Sequence, residues 1–152
     1  MAKDIIIGID AGTSIIKAVA FTLNGKEITT SSVTNIYDTS KNSHVTQSLD
    51  TTWKNCIEII LDIKKKIKNL KNRLALIAIT GQGDGTWLID KKGDPVCDAW
   101  LWLDSRSSKI VKELTNLETE NSRFNSTGTA IFAGQQSAQI SYMEKNNPEI
   151  LN

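Results

Sequence analysis

Asp10-Ala11-Gly12-Thr13-Ser14 lies between two β-branched runs, and its residue types suit the handling of phosphate. Gly12 can adopt backbone conformations that other residues avoid and turn successive N–H groups toward one point, a concavity that accepts anionic oxygens. Thr13 and Ser14 add hydroxyl donors, Lys17 adds a cation on the next segment, and Asp10 offers a carboxylate able to hold Mg²⁺ directly or through its water shell. The same string also describes an ordinary hairpin whose turn is stabilised by Asp and Thr, so the residues alone leave both readings open. A second loop, Gly81-Gln82-Gly83-Asp84-Gly85, follows a continuous apolar run, at the strand end where α/β sheets place ligands. Gln82 and Asp84 are suited to bonding vicinal hydroxyls, although Asp84 can equally be a plain turn former. A third segment is Trp100-Leu101-Trp102-Leu103-Asp104-Ser105-Arg106. In an extended chain Trp100 and Trp102 share a side, and aromatic faces pack on the C–H surfaces of sugars. Asp104 and Arg106 can orient hydroxyls or lock each other in an ion pair, and the alternative for the tryptophans is a place in the core.

The elements that must position these residues follow from periodicity. The apolar run from Asp4 to Asp10 reads as a buried strand, Ile15 to Leu23 as a second, and Lys26 to Ile36 as a third. Asn24-Gly25 between them predicts a two-residue type I′ turn, hence an antiparallel meander. Residues 38–48 are polar and predict a surface loop. A helix capped by Asp50 or Thr51 follows, with Trp53, Cys56/Ile57, Ile60, Ile63 and Ile67 as its apolar stripe. The Lys64–Lys71 cluster at its end complements the helix dipole and predicts a solvated end, not a nucleic-acid patch. Leu74 to Ile79 predicts a central strand buried on both faces. Trp87-Leu88-Ile89 and Val96 predict two further strands around a turn at Asp90–Pro95. Helices are expected from about Ser105 to Leu117 and from about Gln135 to Lys145, and Asn147-Pro148-Glu149 has the form of a helix start.

Composition narrows the partners. The 152 residues carry a net charge of +1, too little basic excess for nucleic acid or an anionic membrane to be the main partner. Length and a 39% hydrophobic share suit one ordinary domain. Cys56 and Cys97 lack any paired spacing or Cys/His cluster, so reduced thiols in a cytoplasmic protein are expected rather than a disulfide or a zinc site. No export signal or membrane span is expected, and His44 stands in a polar stretch as a surface residue.

Taken in order, Ile7 to Lys17, Ile79 to Gly85, Trp102 to Arg106, Ser126-Thr127-Gly128-Thr129 and Glu144 to Glu149 resemble the FGGY family of carbohydrate kinases, across essentially the whole chain. The resemblance implies an α/β, ribonuclease H-like domain of the actin/hexokinase superfamily, with a mixed sheet and flanking helices, here incomplete. Residues 1–152 would be the N-terminal part of the kinase's N-terminal domain, with the C-terminal ATP-binding domain absent. It implies transfer of the ATP γ-phosphoryl group to a sugar or polyol hydroxyl, with ATP and Mg²⁺ required. Carried over by position, Asp10 would meet the Mg²⁺ shell, and Gly12, Thr13, Ser14 and Lys17 the phosphates. Gln82, Gly83, Asp84, Trp102, Asp104 and Arg106 would line the substrate side. The Gly-Gln-Gly-Asp-Gly form looks most like the branch acting on xylulose-type or related keto-sugars and polyols, and Gly134, where glycerol kinases carry a pocket tyrosine, argues against glycerol.

The family's aspartate base has no counterpart among these residues, so no catalytic residue is assigned and the chain alone is expected to be inactive. A cut domain would expose sheet edge and apolar surface, which predicts self-association, as in a homo-oligomer, or poor solubility. Two other readings are a non-enzymatic sugar-binding or interaction module and an actin-like or Hsp70-like ATPase fragment, the latter weakened by the Gln-Gly-Asp and Trp-Leu-Asp-Ser-Arg segments.

Overall fold

The computed structural model describes residues 3–39, 43–115 and 119–151. In chain order the elements are β1 (Ile5–Ala11), β2 (Ile15–Thr22), β3 (Glu27–Thr34), β4 (Thr46–Gln47), α1 (Leu49–Lys66), α2 (Leu70–Arg73), β5 (Leu74–Gly81), β6 (Gly85–Thr86), β7 (Ala99–Leu101), α3 (Ser108–Thr115), α4 (Thr119–Thr127) and α5 (Gln136–Asn146), followed by a 3₁₀ turn at Pro148–Leu151. They fall into two compact units rather than the single domain that length suggests. One holds residues up to Tyr37 together with Asp50–Gln82, and the other Asp38–Leu49 with Gly83 onward.

The first unit is a four-stranded sheet in the order β3-β2-β1-β5, with β1, β2 and β3 antiparallel and β5 parallel to β1. Alternation sorts its faces. Ile5, Ile7 and Ile9 of β1 and Ile16, Ala18 and Ala20 of β2 form one buried face, closed by Ile59, Ile63, Ile67 and Leu70 from the helical side. Each such isoleucine contributes about 1.5–3 kcal/mol by leaving water, so this interface sets the unit's stability. The meander stands as expected, but its second turn, between β2 and β3, differs. The amide of Thr22 bonds the Lys26 carbonyl, Gly25 donates to Thr22, and only Gly25 has positive φ, at 83°. That is a three-residue turn closed by a left-handed glycine, whereas type I′ needs positive φ at two positions.

Two further expectations are corrected. The buried face of α1 runs through Ile59 and Ile63, while Trp53 is 68% exposed and Ile57 39%. Cys56 and Ile60 pack at its margin. β5 is an edge strand, not a central one: Leu76, Ile77 and Ile79 are exposed, Ile79 by 73%, and β1 is its only strand neighbour among the described residues. At its start the Arg73 guanidinium forks onto the Asp4 carboxylate (Nε to Oδ1 3.0 Å, Nη2 to Oδ2 2.7 Å), and Asp4 N–H donates to the Arg73 carbonyl at 2.9 Å. These bonds hold the Asp4 carboxyl below its usual range and fasten β1 to β5.

The second unit centres on a small sheet ordered β4-β7-β6. The polar stretch expected as a loop contributes β4, and Asp38 and Thr46 exchange backbone bonds of 2.8 and 3.0 Å. Around Asp90–Pro95 the two expected strands reduce to one bridge, Ile89 to Pro95, because Asp90 Oδ1 accepts from the amides of Lys92 and Asp94 and tightens the turn. Ile110 of α3 is buried, Val111 and Leu114 are half-buried, and Leu117 lies outside the described residues. α5 begins one residue later than predicted. α4 was not anticipated, since its sequence TENSRFNST carries no apolar stripe. The helix start at Pro148 yields one 3₁₀ turn. His44 is half-buried.

Candidate phosphate and sugar sites

In the first unit β1 carries Asp10 on the face opposite Ile5, Ile7 and Ile9. The register pairs Asp10 with Lys17 of β2 on one side and with Thr80 of β5 on the other. Carboxylate, ammonium and hydroxyl therefore sit side by side at one end of the exposed face, beside a shallow depression of about 350 Å³ floored by Gly8, Val19, Phe21 and Ala78. The turn at Gly12–Ser14 lies just beyond. A Cβ on Gly12 would stand 2.8 Å from the Ile15 carbonyl oxygen, closer than carbon and oxygen approach, so the turn's compactness requires glycine. Ser14 is exposed and Thr13 half-buried.

Two residues hold this turn. The buried Asn35 (1% exposed) donates through Nδ2 to the Gly12 carbonyl at 3.1 Å, while its backbone N–H donates to the Ser14 carbonyl at 2.8 Å. Its Oδ1 accepts from Thr52 Oγ1 at 3.4 Å and from Asn55 Nδ2 at 3.3 Å, which ties the turn to α1. Sequence reading passed over Asn35, because a lone asparagine after a strand belongs to no motif. The second residue is Gln82, whose Oε1 accepts from the Thr13 hydroxyl at 3.1 Å and whose amide reaches the Ala11 carbonyl at 3.4 Å. Gln82 is therefore held against the Gly12–Ser14 turn rather than standing apart with Gly83 and Asp84. The described residues contain no group of three or more His, Cys, Asp or Glu that could hold a metal ion.

The second unit holds the remaining candidates. Gly83 and Asp84 are exposed, and nothing crowds a Cβ at Gly83. The tryptophans part company, contrary to the expectation of one shared side. Trp100, within β7, is 4% exposed, whereas Trp102, just past the strand end, is 45% exposed. The Arg106 guanidinium lies 3.3 Å from the Trp100 ring centroid, and Tyr142 meets the same ring edge-on at 5.8 Å. Asp104 is 1% exposed and fully engaged. It accepts from Arg106 Nε at 3.0 Å and Nη2 at 2.8 Å, from the Arg106 amide at 3.0 Å and from the Val45 amide at 2.8 Å. Of the two roles open to Asp104 and Arg106, the geometry displays the mutual ion pair. Both thiols, Cys56 and Cys97, are pushed up by burial, the opposite of an activated nucleophile.

Residues 5–152 match the sequence model of the FGGY family of carbohydrate kinases, N-terminal domain. Among curated relatives, the erythritol kinase of Brucella abortus is 48% identical over 148 residues, covering 97% of this chain and 28% of that protein. The xylulose kinase of Lactococcus lactis is 30% identical over 146 residues, covering 95% and 29%. Among solved structures, the ligand-bound xylulose kinase of Lactobacillus acidophilus superposes with a TM-score of 0.88 at 20% identity, over 99% of this chain and 30% of that one. The mixed α/β fold is thus that of the FGGY sugar kinases, and the chain spans under a third of the length of these relatives. With the family sequence model covering nearly every residue, the chain belongs to the FGGY family of carbohydrate kinases.

Proposed function

We propose that this chain supplies the phosphate turn and part of the acceptor site of a kinase that transfers the γ-phosphoryl group of ATP to a hydroxyl of a small polyol or pentulose, with a linear four-carbon polyol as first choice. The observation that carries the polyol choice is the 48% identity to an erythritol kinase, against 30% to a xylulose kinase over nearly the same span. This reading sharpens the pentulose expectation, and it replaces the actin-like or Hsp70-like ATPase alternative.

The residues fit the reactants the family uses. Mg²⁺ ordinarily keeps several waters and takes one or two carboxylates together with nucleotide phosphates, and the exposed Asp10 suits that arrangement. Mg²⁺ bound with ATP supplies charge neutralisation along the phosphates. The chain's own residues do the rest of what is proposed here: the side-chain-free Gly12 turn lets phosphate oxygens approach the backbone, Ser14 and Thr13 offer hydroxyl donors, and Lys17 brings positive charge beside Asp10. On the acceptor side, Trp102 offers a half-exposed ring to C–H surface, with Asp84 as a carboxylate acceptor for hydroxyls. No residue here is assigned as the base, so the chain alone is proposed to be inactive until the rest of a kinase is present. A cytoplasmic location is part of the same proposal, and no described helix is long and apolar enough to cross a membrane.

Saturation-transfer NMR on the chain with erythritol, xylulose and glycerol tests the acceptor site. Transfer should be strongest to erythritol and fall about tenfold in Trp102→Ala, the loss of one aromatic contact of some 1.4 kcal/mol. Equal transfer in wild type and variant, or none to any polyol, sinks the reading.

A further inference from the structure

We propose that Gly134, Gly85 and Gln139 are positioning residues that clamp the backbone of Trp102, and that residue 134 is glycine because Trp102 needs it. The proposal rests on the reading of Trp102 as an acceptor-site residue and deepens it. The Trp102 side chain is 45% exposed, and the point where it leaves the fold is set by its main chain. Three independent constraints meet there. A Cβ on Gly134 would fall 1.9 Å from the Trp102 carbonyl oxygen and 2.7 Å from its Cα, distances no side chain can occupy. From β6, a Cβ on Gly85 would fall 2.6 Å from the Trp100 oxygen and 3.2 Å from the Trp102 nitrogen. From α5, the fully buried Gln139 donates through Nε2 to the Leu101 carbonyl at 3.0 Å, inside the peptide unit that precedes Trp102. The residue before that is immobilised by the Arg106 guanidinium on the Trp100 ring, itself held by Asp104.

Position 134 therefore does more than leave room. The segment carrying it packs its backbone directly on that of Trp102, so a side chain at 134 must push Trp102 away. A pocket with a larger residue there needs a different course for the main chain at 102, and residue size at 134 and placement of the aromatic ring change together.

Labelling the chain with 5-fluorotryptophan gives one ¹⁹F resonance for each of its 4 tryptophans, assigned by single Trp→Phe changes. In Gly134→Ala the Trp102 resonance should shift or split while that of Trp53, in the first unit, stays in place. A folded Gly134→Ala chain with the Trp102 resonance unmoved overturns the proposal. Should Gly134→Ala fail to fold, Gln139→Met decides: it keeps the bulk, loses the donor to Leu101, and should broaden or shift Trp102 with Trp53 unchanged. An unmoved Trp102 in Gln139→Met then overturns it. The readout uses no ligand, so a chain that obeys these expectations and yet binds no polyol refutes the proposed function alone.

Discussion

Gly12→Ala is expected to lower kcat/KM for ATP about a hundredfold in a kinase assembled by joining this chain to the C-terminal remainder of the Brucella abortus erythritol kinase, the scale of loss that follows a displacement of about 1 Å at a reacting centre. One methyl group is enough because it has nowhere to go: the Ile15 carbonyl oxygen stands 2.8 Å from where the Cβ would be. The turn cannot relax inward, since Asn35 grips the Gly12 carbonyl at 3.1 Å and the Ser14 carbonyl at 2.8 Å from within the core. Relief must come by pushing the Gly12–Ser14 backbone outward, into the space proposed for phosphate oxygens. Preorganised backbone donors lose their advantage when they must move during the reaction. The acceptor-side KM should change much less, because the methyl group displaces the backbone proposed to meet phosphate and alters no residue proposed to meet the acceptor. Steady-state kinetics with ATP and polyol varied separately checks this, and an unchanged kcat/KM for ATP would remove Gly12 from the phosphate site.

Gly85→Ala should strongly destabilise the second unit, by about 2–4 kcal/mol, combining the cost of a disfavoured backbone conformation with a steric overlap. Gly85 has φ of +103°, a region that residues with a Cβ rarely enter, and its Cβ would lie 2.6 Å from the Trp100 oxygen. The overlapping atom belongs to a buried strand backbone, in register with β6 across Thr86 and Trp100, so it cannot swing aside. A loss of this size corresponds to a fall in Tm of roughly 10 °C or more for a unit of this length. Thermal melting followed through the ¹⁹F signal of Trp100 reads it, and a Tm within about 2 °C of wild type would show that the β6–β7 pairing yields easily.

How much of this was legible in the sequence depended on whether a residue's role was local. The meander was, because β-branched alternation at Ile5, Ile7 and Ile9 and at Ile16 and Ala18 fixes strands and faces together. The compact Gly12–Ser14 turn was, because its glycine and hydroxyls are adjacent. The face of α1 was only partly so: Trp53 and Ile57 fit a helical stripe as well as Ile59 and Ile63 do, and only the packing against the sheet selects between them. β5 misled because a run of Leu, Ile and Ala satisfies a doubly buried strand whether or not a neighbour covers it. Trp100 and Trp102 looked alike by alternation, but the strand ends between them. The residues that hold the sites were not legible. Asn35 and Gln139 act on carbonyls 23 and 38 positions away in the chain, and single-sequence pattern contains no trace of such bonds.

The assembled kinase gives the most direct test. Coupled ATP turnover measured with erythritol, xylulose and glycerol should show phosphorylation with kcat/KM highest for erythritol, and this chain alone should give no sustained turnover with any of them. A folded, soluble assembly that phosphorylates none of the three, or sustained turnover by the 152 residues alone, would contradict the account.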